Sequence, residues 1–226
     1  MRPLTEWPAP VPGQLLGILT DIDDTLTTDG AITPDALQAL GALKASGLHV
    51  IPITGRPVGW SEPFAATWPV DAIVAENGAV ALQRSADVFD QNSPLPNHSK
   101  REQLSKIYQQ DAATRAANYA NMQQVLAATV SSIHINGWFG AHNKLEGARW
   151  IVRELFGRDL DAEIDRWVYV GDSTNDQVMF EHFPHSVGVA NIARFVPQLT
   201  HRPRFVTQGE RGAGFAEVAR AVLATR

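Results

Sequence analysis

The sequence predicts an α/β protein, a Rossmann-like doubly wound parallel sheet with a small α+β segment inserted into it. Three observations carry this. Short apolar runs end abruptly in small or acidic residues, helical patterns follow them, and the alternation breaks between Gly78 and Lys144. Near-continuous apolar strands alternating with helices are the mark of a parallel sheet covered on both faces.

The strands are read in order. Leu15–Thr20 runs into Asp21, and Thr33–Leu43 follows as a helix, with Thr33 as cap and Pro34 at its first position. Leu48–Ile53 runs into Thr54-Gly55-Arg56, and Val70–Val74 into Glu76-Asn77-Gly78. Trp167–Val170 runs into Gly171-Asp172, and Ser186–Val189 into Ala190-Asn191. Pro52 lacks a backbone donor, so its strand is expected to end or bulge there. Ala79–Val88 reads as a short hairpin, and Ser99 to about Thr129 as a long polar helix or helix pair. Asn136-Gly137 reads as the turn of a second hairpin, between Ser131–Ile135 and Trp138–Ala141. The expected organisation is a loose N-terminal arm (1–13), a core (14–80 and 143–226) and an inserted cap or lid (81–142).

Composition narrows the function. The 226 residues carry 44% hydrophobic and 19% charged side chains, ordinary for a folded soluble chain. A formal charge of −5 gives no broad basic field, which speaks against nucleic acid and anionic membrane as partners. With no cysteine, disulfides, thiolate metal sites and cysteine nucleophiles are excluded, and a cytoplasmic location is expected. The opening residues hold no apolar run of the kind a signal peptide or anchor needs.

The chemistry gathers at strand ends, where an open α/β sheet places its ligands. Asp21-Ile22-Asp23-Asp24-Thr25-Leu26 sets three carboxylates in four residues, whose repulsion calls for an offset. A divalent cation supplies one, and an all-oxygen site suits Mg²⁺. An acidic turn or helix cap is the plainer alternative. Gly171-Asp172-Ser173-Thr174-Asn175-Asp176 forms a second acidic loop, or on the plainer view a tight turn and a capped helix. Convergent strand ends would let the two loops share a metal. Thr54, Gly55 and Arg56 offer a hydroxyl, a permissive backbone and a cation suited to a phosphate oxygen. Lys144 opens a helix, a place the macrodipole disfavours for a cation unless an anion stands opposite.

Together these segments resemble the haloacid-dehalogenase-like superfamily of phosphohydrolases. Asp21–Leu26 looks like its first motif, Thr54 its second, Lys144 its third and Gly171–Asp176 its fourth. Glu76-Asn77-Gly78-Ala79 and Ser186–Asn191 recur in the Cof-like, sugar-phosphatase branch (subfamily IIB), which places its lid between the second and third motifs. Two departures stand out: Asp24 where many members carry glycine, and Leu145 after Lys144 where the branch often has glycine.

The resemblance implies an Mg²⁺-dependent phosphatase of a small phosphorylated metabolite, with Asp21 as nucleophile and Asp23 as acid and base. It implies Mg²⁺ held by Asp21, Asp172 and the Asp23 carbonyl, and phosphate bound by Thr54, Gly55 and Lys144. Asp176, Asn175 and Ser173 would support them. Arg56, Asn77, His134 and Trp138 are the candidates for substrate contact, although aromatics in a small lid also serve as its core. A phosphomutase, a phospho-receiver domain and a non-catalytic binding protein are the competing readings. The acidic loop after the lysine speaks against the receiver, and the retention of both Asp21 and Asp23 against the binding protein.

Overall fold

Six parallel strands make the central sheet of the computed structural model. It describes residues 1–8, 10–11, 13–84, 104–108, 113, 127–130, 135–138 and 143–226, with 104–108, 127–130 and 135–138 described by backbone alone. In chain order the sheet strands are β1 (Arg2–Pro3), β2 (Gly17–Thr20), β5 (His49–Pro52), β11 (Trp167–Gly171), β12 (His185–Gly188) and β13 (Phe205–Val206), while β3 (Thr27–Thr28) and β4 (Ala31–Ile32) pair with each other outside it. Their order across the sheet is β1-β13-β12-β11-β2-β5. β6 (Ile73–Ala75) extends it past β5 through a parallel bridge between Ile53 and Val74. Because the strands run in parallel, their carboxyl ends lie on one edge, and the acidic loops after β2 and β11 meet there.

Side-chain alternation along each strand divides the core in two. Ile18, Val50, Val168 and Val170 pack with α1 (Pro34–Ala45) and α5 (Arg211–Leu223), through Leu40, Leu43, Phe215 and Val218. Leu19, Ile51, Trp167 and Tyr169 pack on the other face, with α3 (Lys144–Phe156) and α4 (Gln177–His182), through Leu145, Ile151, Val152 and Phe180. α2 (Val58–Thr67) follows the Thr54–Arg56 turn. Pro52 ends its strand as expected. The Val50 amide donates to the Asp71 carboxylate (2.7 Å) and the Thr54 amide to the Val74 carbonyl (2.8 Å), so the missing donor falls between them, where no ladder bond is needed.

Four expectations are corrected. The N-terminal segment is not loose: β1 pairs with β13, Leu4 and Trp7 are buried, and the Trp7 indole donates to His185 Nδ1 at 3.0 Å. The hairpin assigned to 79–88 lies one element earlier. β7 (Val80–Arg84) is a single strand antiparallel to β6, and the chain reverses at Glu76, Asn77 and Gly78, all with positive φ (52°, 53° and 112°). Within the stretch read as a long helix, β8 (Leu104–Tyr108) pairs antiparallel with β7 and β9 (Ala127–Val130) is also a strand. The open edge of β7 offers a ladder that outweighs weak helical preference at Ile107 and Tyr108. Finally, β10 (Ile135–Trp138) pairs Ile135 with Val130 and Gly137 with Ala128, which draws Asn136-Gly137 into the ladder. The β-branched pair Thr129-Val130 favours the extended strand, and the residues that join the two strands lie outside the described ones. His134 lies outside them too.

One backbone crossing delivers α3 to the sheet edge. A Cβ on Gly147 would lie 2.5 Å from the Gly78 Cα, and one on Gly78 would lie 2.6 Å from the Asn143 carbonyl. Only glycine permits this approach, which brings the first turn of α3 against the β6–β7 reversal. Gly147→Ala should therefore destabilise the protein by about 1–3 kcal/mol, as overpacking does. Helix propensity alone would stabilise it by about 1 kcal/mol. Denaturant unfolding separates the two by sign, and a midpoint at or above wild type would contradict the crossing.

Candidate active site

Asp21 follows β2 directly, with its amide donating to the Val170 carbonyl at 2.8 Å, which ties the first acidic loop to the strand carrying the second. Lys144 is the first residue of α3, and Asn143 caps that helix by accepting from the Leu145 and Glu146 amides (2.9 and 3.0 Å). The cap turns the Lys144 side chain inward, where it is 1% exposed. Its Nζ donates to Asp21 Oδ1 at 2.7 Å and to Asp176 Oδ1 at 2.6 Å.

Asp176 is saturated. Its Oδ1 also accepts from the Tyr169 hydroxyl, and its Oδ2 accepts from the amides of Asp172 (2.9 Å) and Ser173 (3.1 Å), closing a capping box. Gly171 makes room for it, since a Cβ there would lie 2.5 Å from Asp176 Oδ2. The Ser173 hydroxyl donates to Asn175 Oδ1 at 2.8 Å, which orders the same loop.

Asp23 accepts both oxygens' worth of bonds from Arg56: Nε lies 2.8 and 2.9 Å from its two oxygens, and Nη2 also contacts Oδ1. Arg56 is itself buried, with its guanidinium 5.0 Å from the centre of the Phe64 ring. Thr54 is buried at the next strand end, where its hydroxyl accepts from the Arg56 amide at 3.1 Å and its carbonyl from the Asn77 amide at 3.0 Å. Gly55 lies between them in the turn. Asp24 adopts φ 55°, a left-handed conformation that explains glycine's frequency there and that Asp tolerates. Its carboxylate pairs with Arg194 (2.8 Å) and Arg211 (3.1 Å).

Five carboxylates (Asp21, Asp23, Asp24, Asp172 and Asp176) thus face four cations (Lys144, Arg56, Arg194 and Arg211). The uncompensated charge falls on Asp21 and Asp172. Burial pushes the Asp21 carboxyl up to about 7, against the opposing pull of Lys144 and with Asp176 and Asp23 adding to the rise. Burial, with Asp21 and Asp176 beside it, likewise holds Asp172 well above the usual carboxylate range. For Lys144, burial disfavours the charged form, but Asp176 and Asp21 outweigh it and hold the ammonium firmly protonated.

A divalent cation fits this donor set. Asp21, Asp172 and Asp176 each present an oxygen within 4.8 Å of the others, and buried Asp172 Oδ1 has no hydrogen-bond partner among the described residues. An all-oxygen cluster with excess negative charge suits a hard cation such as Mg²⁺. Saturated Asp176 is the least available of the three.

The structure brings Asp21, Asp23, Thr54, Gly55, Arg56, Asn77, Lys144, Asp172, Ser173, Asn175 and Asp176 to one edge. Of Trp138 only the backbone, in β10, is described. Sequence reasoning missed Tyr169, Arg194 and Arg211, and it quoted Asn191 without a role. An aromatic two residues before Gly171, and a polar residue three positions after the end of β12, were the available signals.

A family model for haloacid dehalogenase-like hydrolases matches residues 18–136, and the chain belongs to that family. It is a hydrolase. No curated protein sequence matches it. Among solved structures it is similar to Thermoplasma acidophilum 0175, at 14% identity and TM-score 0.61, over 92% of this chain and 99% of that one. It is also similar to BT1666 from Bacteroides thetaiotaomicron, described among phosphatases of the HAD superfamily, at 16% identity and TM-score 0.60, over 97% and 99%. A third is the 3-deoxy-D-manno-octulosonate 8-phosphate phosphatase of Yersinia pestis, at 15% identity and TM-score 0.55, over 94% and 82%. These likenesses concern the fold. Among the described residues no helix is long and apolar enough to cross a membrane.

The Asp21 shift has a consequence for stability. Its folded carboxyl binds protons up to about pH 7, above the unfolded value of 3.8, so its contribution is full below the unfolded value and is lost as pH rises through about 7. Metal-free protein should lose stability between pH 5.5 and 8, and Asp21→Asn should flatten that slope. Denaturant midpoints at the two pH values check this, and equal slopes in the two proteins would contradict it.

Proposed function

We propose that this hydrolase is an Mg²⁺-dependent phosphatase of a small phosphate monoester, a sugar phosphate, working through an aspartyl-phosphate on Asp21. The observation that carries the proposal is the buried Lys144 ammonium shared between Asp21 and Asp176, beside the unpartnered Asp172 oxygen. A phosphate monoester resists nucleophiles by its own charge, so its hydrolysis depends on neutralisation and in-line positioning. Lys144 supplies a fixed cation, and Asp176 holds it from behind.

Asp21 attacks phosphorus through a carboxylate oxygen, and the bond from phosphorus to the leaving oxygen breaks as Asp23 gives that oxygen a proton. Water then attacks phosphorus, Asp23 takes its proton, and the acyl-phosphate bond breaks to free Asp21. Thr54, Gly55 and Lys144 bind the non-reacting phosphoryl oxygens. Arg56 holds Asp23 in place until a phosphoryl oxygen competes for the guanidinium and frees the Asp23 carboxyl to carry a proton. Asp21, Asp172 and the Asp23 carbonyl would hold Mg²⁺, whose positive charge would draw electron density from the phosphoryl group. Residues 81–142 would act as the lid that excludes water, with Asn77, His134 and Trp138 toward the substrate. The sugar-acid phosphate in the name of the Yersinia pestis neighbour supports a sugar phosphate as substrate, and the absence of cysteine supports a cytoplasmic setting.

Asp21→Asn should abolish phosphate release from an aryl phosphate while leaving the fold intact. Near-wild-type turnover would exclude Asp21 as nucleophile. Chelation should stop turnover, and Mg²⁺ or Mn²⁺ should restore it; full activity after thorough demetallation would assign the acidic loops another purpose. Lys144→Ala should cost several orders of magnitude in rate, as loss of a principal transition-state cation does. Lys144→Arg should recover little, because a planar guanidinium does not fit a pocket shaped around an ammonium. Retention of most of the wild-type rate in Lys144→Ala would move the catalytic charge to Arg56.

A further inference from the structure

The loop after β12 reaches across both acidic loops. Asn191 is buried and its amide group is fully committed. Its Oδ1 accepts from the Arg211 amide at 2.9 Å, which fixes the orientation of the side chain. Both hydrogens of its Nδ2 are then used, one on the Asp24 carbonyl at 3.0 Å and one on Asp172 Oδ2 at 3.1 Å. Arg194 makes a parallel bridge, with Nη2 2.8 Å from Asp24 Oδ2 and 3.4 Å from the same Asp172 Oδ2. One oxygen of Asp172 therefore receives two donors from this loop, and the other, also buried, receives none among the described residues.

We propose that Asn191, backed by Arg194, is a positioning residue that fixes Asp172 by Oδ2 and so presents Oδ1 to a divalent cation. The inference rests on the metal dependence proposed above. A carboxylate free to rotate would exchange its oxygens and lose affinity to the disorder, whereas one held by two donors is set before the ion arrives. Asp24 completes the arrangement. Where glycine would leave Arg194 and Arg211 without an anion on the first loop, the Asp24 carboxylate pairs with both, and the Asn191–Arg194 segment stays seated over Asp172.

The test is Mn²⁺ binding to the full, metal-free chain, with free Mn²⁺ counted by its electron paramagnetic resonance signal. Asn191→Ala should raise the dissociation constant about 10–100-fold, the range for loss of a partner that orients a metal ligand. Asn191→Ser keeps a polar group at the position, guards against loss of the fold and should shift affinity the same way. Asp172→Asn is the reference that separates the two claims. If Asp172→Asn loses Mn²⁺ while both Asn191 variants bind it like wild type, the positioning role is overturned and the metal site stands. If Asp172→Asn binds Mn²⁺ as wild type does, both are overturned.

Discussion

The ammonium of Lys144, buried between Asp21 and Asp176, is the interaction on which the rest of the site depends. Two carboxylates brought together at a dry sheet edge repel each other, and breaking a buried pair by removing one partner costs roughly 3–5 kcal/mol. Lys144 offsets that repulsion with short hydrogen bonds to both. In doing so it sets their roles. Asp176, which also accepts from Tyr169 and two backbone amides, is fixed as the holder of the cation. Asp21 keeps one oxygen outside the pair, and a carboxylate oxygen of Asp172 comes within 4.8 Å of one of its own.

Placing an ammonium there required structure at a distance from the chemistry. The Gly78–Gly147 crossing brings α3 against the β6–β7 reversal, the Asn143 cap starts the helix at the right residue, and the capping box around Asp176 fixes the acceptor. None of these groups needs to touch a substrate. Each removes a way for Lys144 to miss its partners, and the tolerance for error is small because a misplaced buried charge is unstable. The bidentate hold of Arg56 on Asp23 follows the same logic, with a weaker grip in one respect: a ligand oxygen can compete for the guanidinium.

The core was legible in the sequence because buried parallel strands are written as apolar runs and their carboxyl ends as abrupt polar stops. Asp21, Thr54 and Asp172 were found at such stops and Lys144 at the start of a helix, and all four reach the same sheet edge. Residues whose contribution is set by tertiary pairing were not legible. Tyr169 looks like any strand aromatic until Asp176 is placed above it, and Arg194 and Arg211 become partners only once Asp24 takes its left-handed turn. The stretch from 79 to 138 misled for a related reason. Its local signals, a polar helical composition and an Asn-Gly dipeptide, were overridden by pairing with β7 and by the register of Val130 on Ile135. Local preference there is worth tenths of a kcal/mol per residue, and a ladder outweighs it.

The central claim is that Asp21, the carboxylate held by the buried Lys144 ammonium, becomes covalently phosphorylated. Acid quenching during turnover of an aryl phosphate, followed by mass analysis of the peptide that carries Asp21, tests it directly. The account predicts a phosphoryl group on Asp21 that disappears when the quench follows exhaustion of substrate. A phosphoryl group on another residue, or turnover with Asp21 unmodified at every quench time, would contradict it.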